Sequence, residues 1–483
     1  MEKSLLWQTF TALTPLECKH LGQWMRSEFI NRREPPLFLY DYLAQCLQQK
    51  QIPTNENAMA YLFDQKGQLP FKRKAIAEKD ISQAKEQAFR LVSSELLEQI
   101  EQFLAFKEFF ADQVAVGLKV SATYRKRGLD KHFTQSIAFA ARHLDRQPFR
   151  HAEYHDQKEA LEHEQYRFLS TGRRTVSLNI QTLTDQTDLA FMSKKLRQAC
   201  IARSHQNVYK TEYQFGLLQS VLDYIYSTPA VLQNPSIALY FFGYHFLSGM
   251  DTSLYFQSFK TRLLSDAKEL PPEEQSNLHL MAINYCIKRI NVRDMPYFRE
   301  AFDLYRSALD GDLLLENGVL SHFAFNNIVA IALRIAEMAW AEQFIHQFHE
   351  KIEKKHRNAA YHLNLARVAY ERKQHDIALV HLQDADYKDL INNLIAKTLL
   401  LKIYYETDAL DALDAHLQSM QTFIRRQRII GYHKTNYMNI IRFTKKLVAV
   451  LPSNRQEREL LIQQISEEQH LTEREWLLAQ LKG

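Results

Sequence analysis

Four side chains near residue 155 have a spacing that can hold a metal. His151, His155, Glu159 and His163 recur every fourth residue in RHAEYHDQKEALEHEQ, so a helix presents all four on one face. A histidine pair at i and i+4 grips zinc when a further ligand arrives from another element. The pattern departs from the zinc-peptidase motif. In His151-Ala152-Glu153-Tyr154-His155 the glutamate stands third rather than second, and after His163 the second histidine place holds Arg167. A solvated helix face rich in Glu, His and Gln has the same composition. We expect no metal, no cofactor and no catalytic residue here, with a metal-dependent enzyme on the His151–His163 face as the second alternative.

A further concentration of chemistry lies at 415–456. The segment carries Arg425, Arg426, Arg428, Lys434, Arg442, Lys445, Lys446 and Arg455 and contains no Asp or Glu. The whole chain nets only +5, so the remainder is net acidic and the charge is asymmetric. Phe423, Tyr432, Tyr437 and Phe443 are interleaved. Basic side chains displace counterions from phosphates and aromatic rings stack on bases, so the composition suits nucleic acid. It suits an acidic protein segment equally, and also two ordinary helices with aromatic cores and solvated basic faces. A weaker basic stretch spans Lys119–Arg150.

Other signatures of catalysis are missing from the sequence. There is no glycine-rich phosphate loop ending in Gly-Lys-Ser/Thr, no dinucleotide-binding glycine motif and no Gly-x-Ser-x-Gly elbow. An α/α-barrel hydrolase would need long loops carrying carboxylates, and the connections here read as short.

The elements that position these residues are helices. Twelve glycines and twelve prolines in 483 residues are too few for a turn-dense β architecture. Hydrophobic residues make up 46% of the chain, enough to bury a core against chain entropy. Thr14-Pro15-Leu16-Glu17 reads as a capping box, and Thr472-Glu473-Arg474-Glu475 repeats its form. Asp80-Ile81-Ser82-Gln83 and Ser453-Asn454-Arg455-Gln456 are weaker versions, and Leu270-Pro271-Pro272-Glu273-Glu274 reads as a loop entering a helix. Phe89, Val92, Leu96, Ile100, Phe103, Leu104 and Phe110 recur at three and four. The start and stop signals predict about 20 to 23 helices. Thr175–Leu178 is the best strand candidate, and Asp64–Lys79 and Thr171–Thr182 read as loops. Cys18, Cys46, Cys200 and Cys286 are scattered, as core residues of a reducing compartment are. The first residues lack the apolar run of a signal peptide, and no window is apolar enough to span a membrane. The expected location is cytoplasmic.

One periodicity stands out. Leu365-Ala366 and Ala378 recur 34 residues later as Leu399-Leu400 and Ala412, the period of a helix–turn–helix repeat whose first helix presents a large apolar residue and whose second presents a small one. Ile328 and Ala341 keep the same thirteen-residue step, and Tyr124 and Gly128 occupy an aromatic and a turn place, with Phe133 at the small place. The chain thus resembles the tetratricopeptide-repeat family over about 322–425 and more faintly over 118–145. It departs where the family's opening Trp is His362 and its closing Pro is Leu390. The resemblance implies a superhelix that binds partner segments in a concave groove.

The expected architecture is therefore an all-α, helix-turn-helix repeat α-solenoid, a tetratricopeptide-like superhelix. Residues 1–79 form an N-terminal helical unit or cap, 80–320 a degenerate hairpin region, and 321–483 the tetratricopeptide-like repeats with C-terminal capping helices. Leu365, Ala366, Ala378, Leu399 and Ala412 are the repeat-packing positions. The expected function is a non-enzymatic protein–protein interaction scaffold that binds a partner segment on its concave face. The first alternative is a nucleic-acid-associated repeat protein using Arg425, Arg426, Arg428, Lys434, Arg442, Lys445 and Lys446.

Overall fold

The computed structural model describes residues 1–30, 33–65, 78–171, 177–209, 211–249, 252–384, 389–426, 431–451 and 454–482. Among these residues the chain is all-α, with twenty-three α-helices packed in neighbouring pairs, an arrangement compatible with a helical repeat. No helix among them is long and apolar enough to cross a membrane. The helices gather into two compact units, Met1–Lys194 and Lys195–Gly483.

The first unit holds α1 (Leu5–Thr11), α2 (Pro15–Met25), α3 (Glu34–Gln48), α4 (Asn55–Met59), α5 (Glu78–Ala111), α6 (Gln113–Lys126), α7 (Asp130–Asp145), α8 (Ala152–Leu169) and the start of α9 (Ile180–Val208). The capping box at Thr14 forms as read. The Glu17 amide donates to the Thr14 hydroxyl at 3.2 Å, and the Thr14 amide donates to the Glu17 carboxylate at 2.7 Å. Lys107 also holds Glu17, and its hydrogen bond together with that of Thr14 pushes the carboxyl down to about 2. Phe89, Val92, Leu96, Ile100 and Phe103 of α5 bury against Leu21, Leu39 and Leu43 in one core. The helix expected to open a new region after residue 79 thus packs into the N-terminal one. Phe110 leaves the stripe: it is exposed and lies 4.3 Å from Phe106, ring to ring.

Helices α6 and α7 show how a hairpin closes. A Cβ at Gly117 would come within 2.8 Å of the Ala140 Cβ, so only glycine allows this backbone approach. Ser121 donates to Ser136 across the same seam at 2.9 Å. Phe133, at the place where the repeat has a small residue, buries instead against Phe168 with ring centroids 4.0 Å apart.

The second unit continues from α9 with α10 (Leu218–Ser227), α11 (Pro235–Ser248), α12 (Thr252–Asp266), α13 (Pro272–Asn291), α14 (Tyr297–Asp310), α15 (His322–Arg334), α16 (Met338–Phe348), α17 (Lys354–Glu371), α18 (His375–Gln383), α19 (Leu390–Glu406), α20 (Leu410–Arg426), α21 (Gly431–Ala449), α22 (Arg455–Glu467) and α23 (Arg474–Lys482). Helix α13 starts at Pro272 with Glu273 and Glu274 in its first turn, as expected. Asn454 caps α22 by accepting from the Glu457 amide at 3.2 Å. Helix α23 begins at Arg474 after Glu473 in left-handed backbone, so Thr472 does not stand at its N-cap as expected; Glu475 pairs with Arg334 and Glu473 with Lys402.

Strands β1 (Leu315–Glu316) and β2 (Val319–Leu320) pair around Asn317-Gly318, both at positive φ. Such a two-residue turn is what Asn-Gly favours. The strand candidate Thr175–Leu178 lies partly outside the described residues, and Ser177 and Leu178 are neither strand nor helix.

The hairpins share one turn. Two residues beyond the ends of α6, α13, α15, α17 and α19 stand Gly128, Arg293, Ala336, Lys373 and Asp408, all left-handed with φ between 54° and 70°. In each, the next amide reaches back five residues to a helix carbonyl at 2.9–3.1 Å, a Schellman closure. Five residues beyond these positions come Phe133, Phe298, Ala341, Ala378 and Leu413, of which all but Phe298 are buried. Lys373 and Asp408 are 35 residues apart, not 34, so Leu413 takes the buried place expected of Ala412, which is exposed. The other expected packing residues, Leu365, Ala366, Ala378 and Leu399, are buried.

Buried polar groups tie successive hairpins. The Asn364 amide of α17 donates to Asn326 of α15 at 2.7 Å, and the Asn326 amide donates to Asn392 of α19 at 2.8 Å. All three are buried.

Two outcomes follow. Ala336→Gly removes the penalty of a Cβ in left-handed backbone and should raise stability by about 0.5–1 kcal/mol, read as a higher denaturation midpoint at unchanged m. Asn364→Leu strands its buried partners and should cost about 1–3 kcal/mol by the same measurement.

Candidate functional site

The hairpin turns place the ends of successive helices along one groove of the second unit, with a volume of about 1430 Å³. Ile290 and Arg293 line it from the end of α13, Leu333 and Arg334 from α15, and Arg367, Tyr370 and Lys373 from α17. Leu399 and Lys402 of α19 and Trp476 of α23 complete its walls. Helix C-termini carry partial negative charge, which the basic side chains at these ends complement.

Glu406 anchors the wall. Its carboxylate is only 10% exposed and accepts from Lys373 Nζ at 2.8 Å, from Trp476 Nε1 at 2.8 Å and from the Tyr370 hydroxyl. Burial opposes ionisation, yet these hydrogen bonds prevail and hold the carboxyl below its ordinary range. Burial and the neighbouring Glu406 push the Tyr370 phenol upward. Lys402 bonds Glu473 at 2.9 Å, and its ammonium sits 4.5 Å from the Tyr370 ring centroid.

Arg474 donates to the carbonyls of Ile465, Ser466 and Glu468 and so caps the end of α22. Burial and the nearby Arg293 disfavour its charge. Arg293 and Arg474 both line the groove, and among the described residues no carboxylate pairs with the exposed Arg293. Elsewhere in the groove the carboxylates of Glu406, Glu473 and Glu475 are matched with cations.

The residues singled out from sequence lie elsewhere. On α8, His155 is buried, and burial lowers the pKa of its imidazole; His163 is exposed. Arg125 bonds Glu164 at 2.7 and 3.3 Å. The described residues bring no third ligand to His151, His155, Glu159 or His163.

In the 415–456 segment, Arg442 bonds Glu468 and Lys446 bonds Gln464, each at 2.6 Å, so both knit α21 to α22. Phe443 is buried beneath them, with the Arg442 guanidinium 4.6 Å from its centroid. Arg425 and Arg426 are exposed on the last turn of α20, Lys445 is exposed and Lys434 is half-buried. Arg428 and the side chain of Tyr432 lie outside the described residues. Among the described residues of this segment, only Asn436 and Tyr437 reach the groove. Sequence reasoning missed Tyr370, Glu406 and Trp476. They are as much as 106 residues apart and belong to no motif, so only packing identifies them.

Glu406→Gln should lower stability by about 1–3 kcal/mol at neutral pH. The native carboxyl titrates below its ordinary 4.5, so its contribution is complete above that value and fades as pH falls through the native one. The gap between variant and wild type in thermal melts should therefore close on acidification below 4.5. Comparison with models of protein families, with curated proteins and with solved structures returned no match.

Proposed function

We propose that the second unit is a tetratricopeptide-like helical repeat and that its groove binds a segment of a partner protein, without catalysis. The observation that carries this reading is the groove itself. Its volume of about 1430 Å³ exceeds the roughly 300–1,000 Å³ typical of small-molecule pockets. It crosses the ends of successive hairpins, and apolar Met295, Phe298 and Leu333 alternate there with charged groups. That mixture suits a polypeptide, whose side chains alternate in kind. The exposed Arg293, which no carboxylate pairs among the described residues, favours an acidic residue in the bound segment. The shared hairpin turn and the buried Asn326–Asn364–Asn392 ladder support the repeat reading. Four free cysteines fit a cytoplasmic setting.

Affinity capture from nuclease-treated native extract tests the reading. Wild type should retain a defined protein partner. The doubly substituted Arg293→Glu/Met295→Glu chain should lose it by about tenfold or more, the loss expected of about 1.4 kcal/mol of binding energy, while Lys445→Glu retains it. Recovery that survives the groove substitutions but disappears with nuclease or with Lys445→Glu would overturn the proposal and favour nucleic acid on the 415–456 face.

A further inference from the structure

Among the described residues, one group of His, Cys, Asp or Glu side chains brings three ligand atoms together: His362, His381 and Asp384, all within 4.8 Å of one another. His362 stands on α17, and His381 and Asp384 stand one helical turn apart on α18 and at its C-cap. The two histidine Nδ1 atoms are 3.2 Å apart. A zinc tetrahedron with metal–nitrogen bonds of about 2.0–2.1 Å has edges of about 3.3–3.4 Å, so the imidazoles already stand at the separation of two zinc ligands.

We infer that His362, His381 and Asp384 bind one zinc ion, with solvent completing the coordination. Without metal, the 3.2 Å contact requires one ring to carry its proton on Nδ1 and donate it to the other ring. On binding, that proton moves to Nε2 of the same ring, and both Nδ1 lone pairs meet the metal. Two imidazole donors select a borderline ion such as zinc over magnesium or calcium, which take oxygen ligands. Both histidines are half-buried, so their rings are held by packing, while the exposed Asp384 carboxylate is free to close onto the ion. Ala366 of α17 and Ala378 of α18 are fully buried in one core, and as small residues they let the two helices pack closely.

The test is zinc chloride titration of the chelator-stripped full chain near neutral pH, followed by calorimetry and by metal analysis after dialysis. Wild type should bind one zinc ion per chain that excess magnesium does not displace. His362→Gln and His381→Gln should each weaken binding by about a hundredfold, and the surface change Asp384→Asn by about tenfold. Cobalt in place of zinc should show the strong visible absorption of a four-coordinate ion in wild type and lose it in His381→Gln. Helical circular dichroism confirms that each variant is folded. Because Asp384 is exposed, its variant reports on ligation apart from packing. No bound zinc in wild type, or equal stoichiometry and affinity in the folded His362→Gln/His381→Gln chain, would overturn the assignment.

Discussion

Three buried amides hold the second unit in register. Asn326, Asn364 and Asn392 each contribute one side chain to a ladder that crosses α15, α17 and α19. An apolar seam tolerates sliding of one helix along another, because dispersion is non-directional. A buried amide does not, since displacement strands its donors and acceptors away from water. Arg367 extends the ladder by donating to the Asn326 carbonyl and to Asn364 Oδ1. That side chain also lines the groove, so the contact that fixes helix register fixes part of the candidate binding surface.

The recurring turn works at the ends of the same helices. A Schellman closure satisfies terminal carbonyls and reverses the chain within a few residues. It delivers the C-terminal turns of α13, α15, α17 and α19 to one groove. The left-handed residues Arg293 and Lys373 carry side chains that line that groove. Backbone strain and groove-lining side chains therefore meet at the same positions. Glycine would relieve the strain but would remove the cation.

Charge is distributed unlike its appearance along the chain. The densest run of basic residues, in α20 and α21, is partly consumed by contacts to α22 and by packing over Phe443. In the groove, by contrast, cations come from several helices. Arg334, Lys373 and Lys402 each meet a carboxylate, and among the described residues the exposed Arg293 meets none. Histidines follow the same logic. Among the described residues the evenly spaced set that starts at the N-cap of α8 meets no further ligand, whereas His362 and His381, nineteen residues apart, touch.

Local chemistry made much of the fold legible. The scarcity of glycine and proline, the apolar stripe through Phe103 and the capping box at Thr14 each act over a single helical turn, so the order of residues alone determined them. The Asn317-Gly318 hairpin was missed, although that dipeptide favours two successive positive φ angles; the strand candidate falls at Thr175–Leu178 instead. The recurring hairpin was legible only in part. Four of its five closures are marked by Arg, Ala, Lys and Asp rather than glycine, and the last two stand 35 rather than 34 residues apart, which moved the buried place from Ala412 to Leu413. The groove, the Glu406 network and the His362–His381 pair had no sequence signature. Each joins side chains from different helices, and which helices meet depends on the sum of many weak packing contacts. Helix content is determined by interactions along the chain, while these sites were decided by interactions across it.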